Sequence, residues 1–385
     1  MKLRISTILV LFVIVFQAFA QTDQRLFDLI GHKYNVGRPK PMYCLFDENG
    51  RSIVLAEDGE IRWFDDPTKP PVKTARIKDV PVFDYPPDYY SPEEKKAIEN
   101  LTKFHETVFG DIPVVSFGSA PIPRPGGKEF CLTDDDSKFY FYSTGTGELL
   151  RKVFIQKPKH KYAPFGTALS DDNKIVLTTS HVLEKAYVHS METGKLLFEI
   201  DSPMFSDDSA LSPDGLTLYH THKNILSRYS TKTGKKSAAD ITVETESTGN
   251  IKVSPTGDKI GFTLITKGNY DGQAIMNVET GKITKCDPTL KHFSVLSFTP
   301  DGKLLAVAND RGYMHFIDTA TGKHSFSYIS TFNDLWVKAV GVVFSPDSTK
   351  MSFTTGVDRD MQYYIYLDLT QRRVRPVGRL EPLPW

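Results

Sequence analysis

Along most of the chain, short apolar runs alternate with short polar turns in a fixed order. The clearest copy runs from Phe298 through Thr299-Pro300-Asp301-Gly302-Lys303 into the apolar run Leu304 to Ala308. Tyr313 to Asp318 and the turn Thr321-Gly322-Lys323 follow. In the first turn, Pro presets φ, Asp bonds back to the backbone and Gly accepts a positive φ. The runs between turns are apolar at nearly every position, as in Lys174-Ile175-Val176-Leu177-Thr178. That pattern suits a strand covered on both faces rather than one half-open to water.

The phrase recurs. Taking the residue before Pro as the mark, copies start at Ser212, Ser254, Thr299 and Ser345, with a looser one at Ser170. Arg124-Pro125-Gly126-Gly127 and Asp47-Glu48-Asn49-Gly50 are degenerate copies, each between two apolar runs. From 124 onward the marks are 46, 42, 42, 45 and 46 residues apart. A second turn keeps step at Thr146-Gly147, Thr193-Gly194-Lys195, Thr233-Gly234-Lys235, Thr280-Gly281-Lys282 and Thr321-Gly322-Lys323. Repeats of that length with four strands each predict an all-β, seven-bladed β-propeller over residues 41–380, followed by a tail, 381–385. The two degenerate copies leave six or eight blades open. A sandwich or barrel would use similar turns, but not at such regular spacing.

One interval breaks the rhythm: 77 residues separate Asp47 from Arg124. Ser91-Pro92-Glu93-Glu94 is a capping box with Pro at the first helical position, and Ala97, Ile98, Leu101, Phe104, His105 and Val108 recur at helical spacing. The spacing predicts an amphipathic helix over 91–109, within an insertion at 82–110 after blade 1. The Pro-rich aromatic stretch Phe83 to Tyr90 precedes it. The insertion reads either as a packing cap or as a lid that docks a partner through Tyr85, Tyr89 and Tyr90.

Ahead of the repeats, Lys2 and Arg4 precede the apolar run Ile8 to Phe16, and Ala18-Phe19-Ala20 forms a cleavage signal before Gln21. Residues 1–20 therefore read as a secretory signal peptide, with an uncleaved anchor as the rival, and 21–40 as an N-terminal extension. The expectation is a secreted or periplasmic chain without integral membrane contact. Two of the 47 basic residues lie in this leader, which leaves 45 against 47 acidic ones. So balanced a charge excludes the electrostatic footprint of a nucleic-acid binder. Cys44, Cys131 and Cys286 are scattered without zinc spacing and read as buried thiols; a bridge between Cys44 and Cys131 is the rival reading.

The phrase Ile317-Asp318-Thr319-Ala320-Thr321-Gly322-Lys323, with its counterparts, resembles the WD40-like propellers of exported bacterial proteins, including the group with a Tyr-Val-Thr-Asn repeat. The resemblance covers about residues 41–380. It implies a propeller that binds through its loop face. No blade carries Trp-Asp at the end of its third strand, and the Gly-His pair of true WD40 repeats is missing. Their hydrogen-bonded tetrad is therefore not carried over.

In this register the loops joining second to third strands, and blade to blade, share one face. They gather His160, Tyr162, His181, His222, Tyr270, Asp271, His292, Asp310, Arg311, Asp334, Trp336, Asp358 and Arg359. His and Asp around a channel could bind a metal or carry protons, but no pair has ligand spacing. Asp134-Asp135-Asp136 lacks the alternation of a calcium loop, and no Gly-x-Ser-x-Gly occurs. No catalytic residue, metal or cofactor is assigned. The expectation is a non-catalytic module that recognises a protein, peptide or glycan through Tyr85, Tyr89, Tyr90, His160, His181, His222, His292, Asp310, Arg311, Trp336, Asp358 and Arg359. The alternative is an exported hydrolase or lactonase with metal or His–Asp chemistry in the central funnel.

Overall fold

A computed structural model describes residues 27–34, 41–56, 59–66, 69–77, 121–133, 138–155, 166–180, 185–202, 207–308, 313–329, 338–356 and 362–374. They form seven four-stranded antiparallel blades. Blade 1 runs from strand Pro41–Phe46 to Lys73–Arg76, and blade 2 from Ile122–Pro123 to Leu149–Phe154. Blade 3 begins at Gly166–Leu169, blade 4 at Asp207–Leu211, blade 5 at Ser247–Val253 and blade 6 at Ser294–Phe298. Blade 7 contains Lys338–Phe344, Lys350–Gly356 and Gln362–Val374.

Its fourth strand comes from the other end of the chain. Phe27–Tyr34, inside the N-terminal extension, pairs antiparallel with Gln362–Val374, from Phe27 opposite Val374 to Tyr34 opposite Tyr364. The sequence predicts a last strand at 372–380 and leaves open whether residues 22–40 add a clasp; residues 372–374 end the long third strand, and 375–380 lie outside the described residues. The closing strand also meets the outer strand of blade 6 in parallel, with Asp28 opposite Ser327. Blades 6 and 7 are thereby fused into one eight-stranded sheet.

The core is divided among the joints. One apolar cluster packs Leu45, Ile53 and Trp63 of blade 1 against Phe130 and Tyr142 of blade 2, and another packs Phe316 and Phe326 of blade 6 against Phe353 and Leu367 of blade 7. Even blades 7 and 1 share one, with Val343 against Cys44, Phe46 and Val54. Each middle strand is thus covered on both faces, which is why its sequence is apolar throughout. All three cysteines are buried and free, and Cys44 and Cys131 belong to different clusters.

Hydrogen bonds cross every joint as well. Trp63 Nε1 donates to Thr144 O at 2.7 Å between blades 1 and 2, and Asn173 Nδ2 to Glu129 at 2.9 Å between blades 2 and 3. Asp171 N reaches Pro213 O at 2.7 Å, Thr248 N reaches Lys223 O at 2.9 Å, and Asp287 N reaches Gly322 O at 3.0 Å. Asp301 N donates to Ser348 Oγ at 3.0 Å, and Lys350 Nζ to Gly50 O at 3.2 Å. The last of these closes the ring.

The leader, the aromatic arm and the helix expected at 91–109 lie outside the described residues. Among the described residues the helical content is a 3-10 turn at Pro125–Gly127.

Candidate binding face

The repeat marks turn out to be structural fasteners. In each copy the Ser or Thr hydroxyl donates to the Asp two or four residues on and accepts a backbone N–H five residues on. Ser212 Oγ reaches Asp214 at 2.5 Å and receives Thr217 N at 2.9 Å; Ser345 Oγ reaches Asp347 at 2.6 Å and receives Lys350 N at 2.9 Å. Asp47 substitutes in blade 1, accepting from the backbone of Asn49 and Arg51. Asp258 shows the electrostatic result. Partial desolvation opposes its ionisation, but hydrogen bonds from Lys259, Thr256 and Ser254, and the charge of Lys259, lower its pKa to about 2. This end of the wheel spends its polar groups on itself.

Blade 2 departs from the rule. Arg124 stands where the hydroxyl belongs, is buried, and sends Nη2 to the carbonyl of Ser170 in the next blade. Burial lowers its pKa, against the raising influence of Asp171.

The opposite end carries the loops singled out in the sequence. Among the described residues, blade 5 has a longer tight hairpin than blade 4, with strands Lys259–Thr266 and Asn269–Asn277 joined by Lys267 and Gly268. Both turn residues have positive φ, 51° and 72°, as a two-residue turn matching strand twist requires. A register shift between Leu264 and Ile265 then bulges the partner strand at Asp271. Tyr270 is 40% exposed beside it. The link to blade 6 folds back here: His292 N donates to Tyr270 O at 2.9 Å, and Lys291 Nζ meets Asp271 at 3.0 Å. Glu246 joins the edge by accepting Lys267 N at 2.6 Å.

The structure therefore brings together Tyr270, Asp271 and His292 of the predicted set. His222 is exposed one blade away, at the end of a strand beside the Lys223–Asn224 turn. Tyr85, Tyr89, Tyr90, His160, Tyr162, His181, Asp310, Arg311, Asp334, Trp336, Asp358 and Arg359 lie outside the described residues.

Sequence reasoning missed a second cluster. His315 Nδ1, His324 Nε2 and Ser327 Oγ form a triangle with sides of 2.6 Å, 2.8 Å and 3.3 Å. The Phe293 ring meets His315 edge-on at 4.5 Å between centroids. Burial, reinforced by His324, lowers the pKa of His315 to about 4; burial also lowers that of His324, against Asp287. A Ser–His contact of this length has the dimensions of a nucleophile and its base. Here Ser327 has no exposed surface, so no substrate reaches its hydroxyl. One signal was available: counted back from the Thr321-Gly322 turn, His315 and Ser327 are direct cross-strand partners.

Among the described residues no group of three or more His, Cys, Asp or Glu is placed to hold a metal ion. No helix among them is long and apolar enough to cross a membrane. The chain matches no protein-family model and no curated protein.

Proposed function

We propose that the mature chain is an exported binding scaffold, presenting the loop face of a rigid propeller to a protein, peptide or glycan. The carrying observation is the contrast between the two ends of the wheel. The turn end is bonded to itself, while the loop end exposes Tyr270 on a projecting hairpin with Asp271, Lys291 and His292 around it. An aromatic ring held on a stiff hairpin loses little entropy on contact and offers apolar area with a polar tip, which suits recognition. The leader-like N-terminus and the likeness to exported WD40-like propellers support export and a binding role; fold alone supports neither.

The test compares the wild-type mature chain, immobilised, with a Tyr270→Ala/His292→Ala variant. Each is exposed to the extracytoplasmic fraction of the producing cell and to a glycan array. Selective retention of one ligand by wild type, reduced at least tenfold in the variant, supports the reading. Equal retention by both chains, or none by wild type, overturns it.

A further inference from the structure

We propose that the His315–Ser327–His324 triangle is an acid-sensitive latch on the strand that closes the propeller. Three observations meet at one place. Ser327, whose hydroxyl contacts both imidazoles, lies on the outer strand of blade 6, His324–Ile329. Its backbone is the register point at which the closing strand joins that blade, opposite Asp28. Blade 6 is joined to the closing strand through that single parallel pairing.

With both rings neutral, the hydrogen bonds of the triangle are satisfiable. The Ser327 hydroxyl donates to one ring nitrogen and accepts an N–H from the other ring. A further proton ends that arrangement, because it sets two N–H groups facing each other across the 3.3 Å between His315 and His324. It also places a charge against Phe293 and the fully buried Ser327. Relief requires the outer strand to shift, and the closing strand is seated on that strand.

Asp287, from the link between blades 5 and 6, acts on both rings and accepts the backbone N–H of His324; its carboxylate is also held by Thr289. On the closing strand the residue at this register is Asp28, whose backbone is paired on its other side with Arg373 of blade 7. One carboxylate already committed to Thr289 does not compensate two charged imidazoles.

The sign follows from linkage. A His whose folded pKa lies below its ordinary 6.5 takes up its proton more readily when the strand opens. Seating is therefore strongest above about pH 6.5 and weakens as pH falls toward about 4, by up to about tenfold per unit for one proton. Hydrogen exchange of the full mature chain between pH 7 and 4.5, normalised to intrinsic rates, tests this. Protection of 27–34 and 324–329 is expected to fall at least tenfold while the middle strands of blades 3 to 5 hold theirs. A His315→Gln/His324→Gln variant is expected to lose that dependence. Uniform exchange across the wheel, or an unchanged dependence in the variant, overturns the proposal. If the variant does not fold, imidazole resonances of wild type decide: titration of both rings near 6.5 overturns it, and depressed titration in step with loss of 27–34 protection supports it.

Discussion

Lys350 Nζ donates a hydrogen bond to the carbonyl oxygen of Gly50 at 3.2 Å, across 300 residues of chain. The bond ties the first turn of blade 7 to that of blade 1, next to the small apolar cluster those blades share. The contact is partly buried, and a charge-assisted hydrogen bond of this kind makes Lys350→Met expected to cost about 1–3 kcal/mol. Deleting residues 21–34 removes the whole fourth strand of blade 7 and is expected to lower the thermal midpoint well beyond any substitution considered below. Thermal unfolding of the two variants, compared with wild type, checks both statements.

Arg124 offers a sharper test of the repeat logic. Its Nη2 crosses from blade 2 to the Ser170 carbonyl of blade 3, which also accepts the Asn173 N–H. Arg124→Ser restores the residue type of the other blades but leaves Ser170 O without that donor and a void where the guanidinium lay. A loss of about 2–4 kcal/mol is expected from the two effects together. Arg124→Met fills more of the space and is expected to cost less. Urea denaturation of both variants gives the order.

Two glycines with the same backbone angle separate conformational strain from crowding. Gly194 has φ 69°, and a Cβ there would lie 2.3 Å from the Phe154 carbonyl oxygen. Gly268 has φ 72°, with open space around it. Gly268→Ala is expected to cost about 1 kcal/mol from the left-handed backbone alone. Gly194→Ala adds a backbone clash across blades 2 and 3 and is expected to cost at least about twice as much. Chemical denaturation distinguishes them, and equal losses would refute the assignment.

The fastener carboxylates give the wheel an acid limit below the range of the histidine latch. Asp258 has a folded pKa of about 2, below its ordinary 3.8. Its stabilising contribution is therefore complete above about pH 4 and is lost as pH falls through 2. Asp258→Asn is expected to lower stability by a constant amount above about pH 4 and to flatten the profile between about pH 4 and 2. Denaturation midpoints measured from pH 5 to 2 show whether it does.

Much of the wheel was legible because its turns are local chemistry. Ser212-Pro213-Asp214-Gly215 carries its own hydroxyl–carboxylate bond, so the motif and the bend are the same object. Even Asp47 kept the bend without Ser or Pro, because its carboxylate accepts the backbone N–H groups two and four residues on. The closing strand was not legible: the sequence around Phe27–Tyr34 carries none of the repeat's turn phrases, and its partner lies more than three hundred residues away. The loop face was read in part. Tyr270, Asp271 and His292 converge because hairpin length and crossover path do so, whereas His315 and His324 were overlooked because they are strand residues, nine apart, that meet only through register.

Phe27 stands opposite Val374, so the first and last described strands begin and end side by side. A short peptide bridging those two positions would make the polypeptide topologically endless at little cost in loop entropy. Fresh termini could then be cut at the open Lys267–Gly268 bend. Such a circular permutant would turn the closing strand from a docked end into an ordinary hairpin arm.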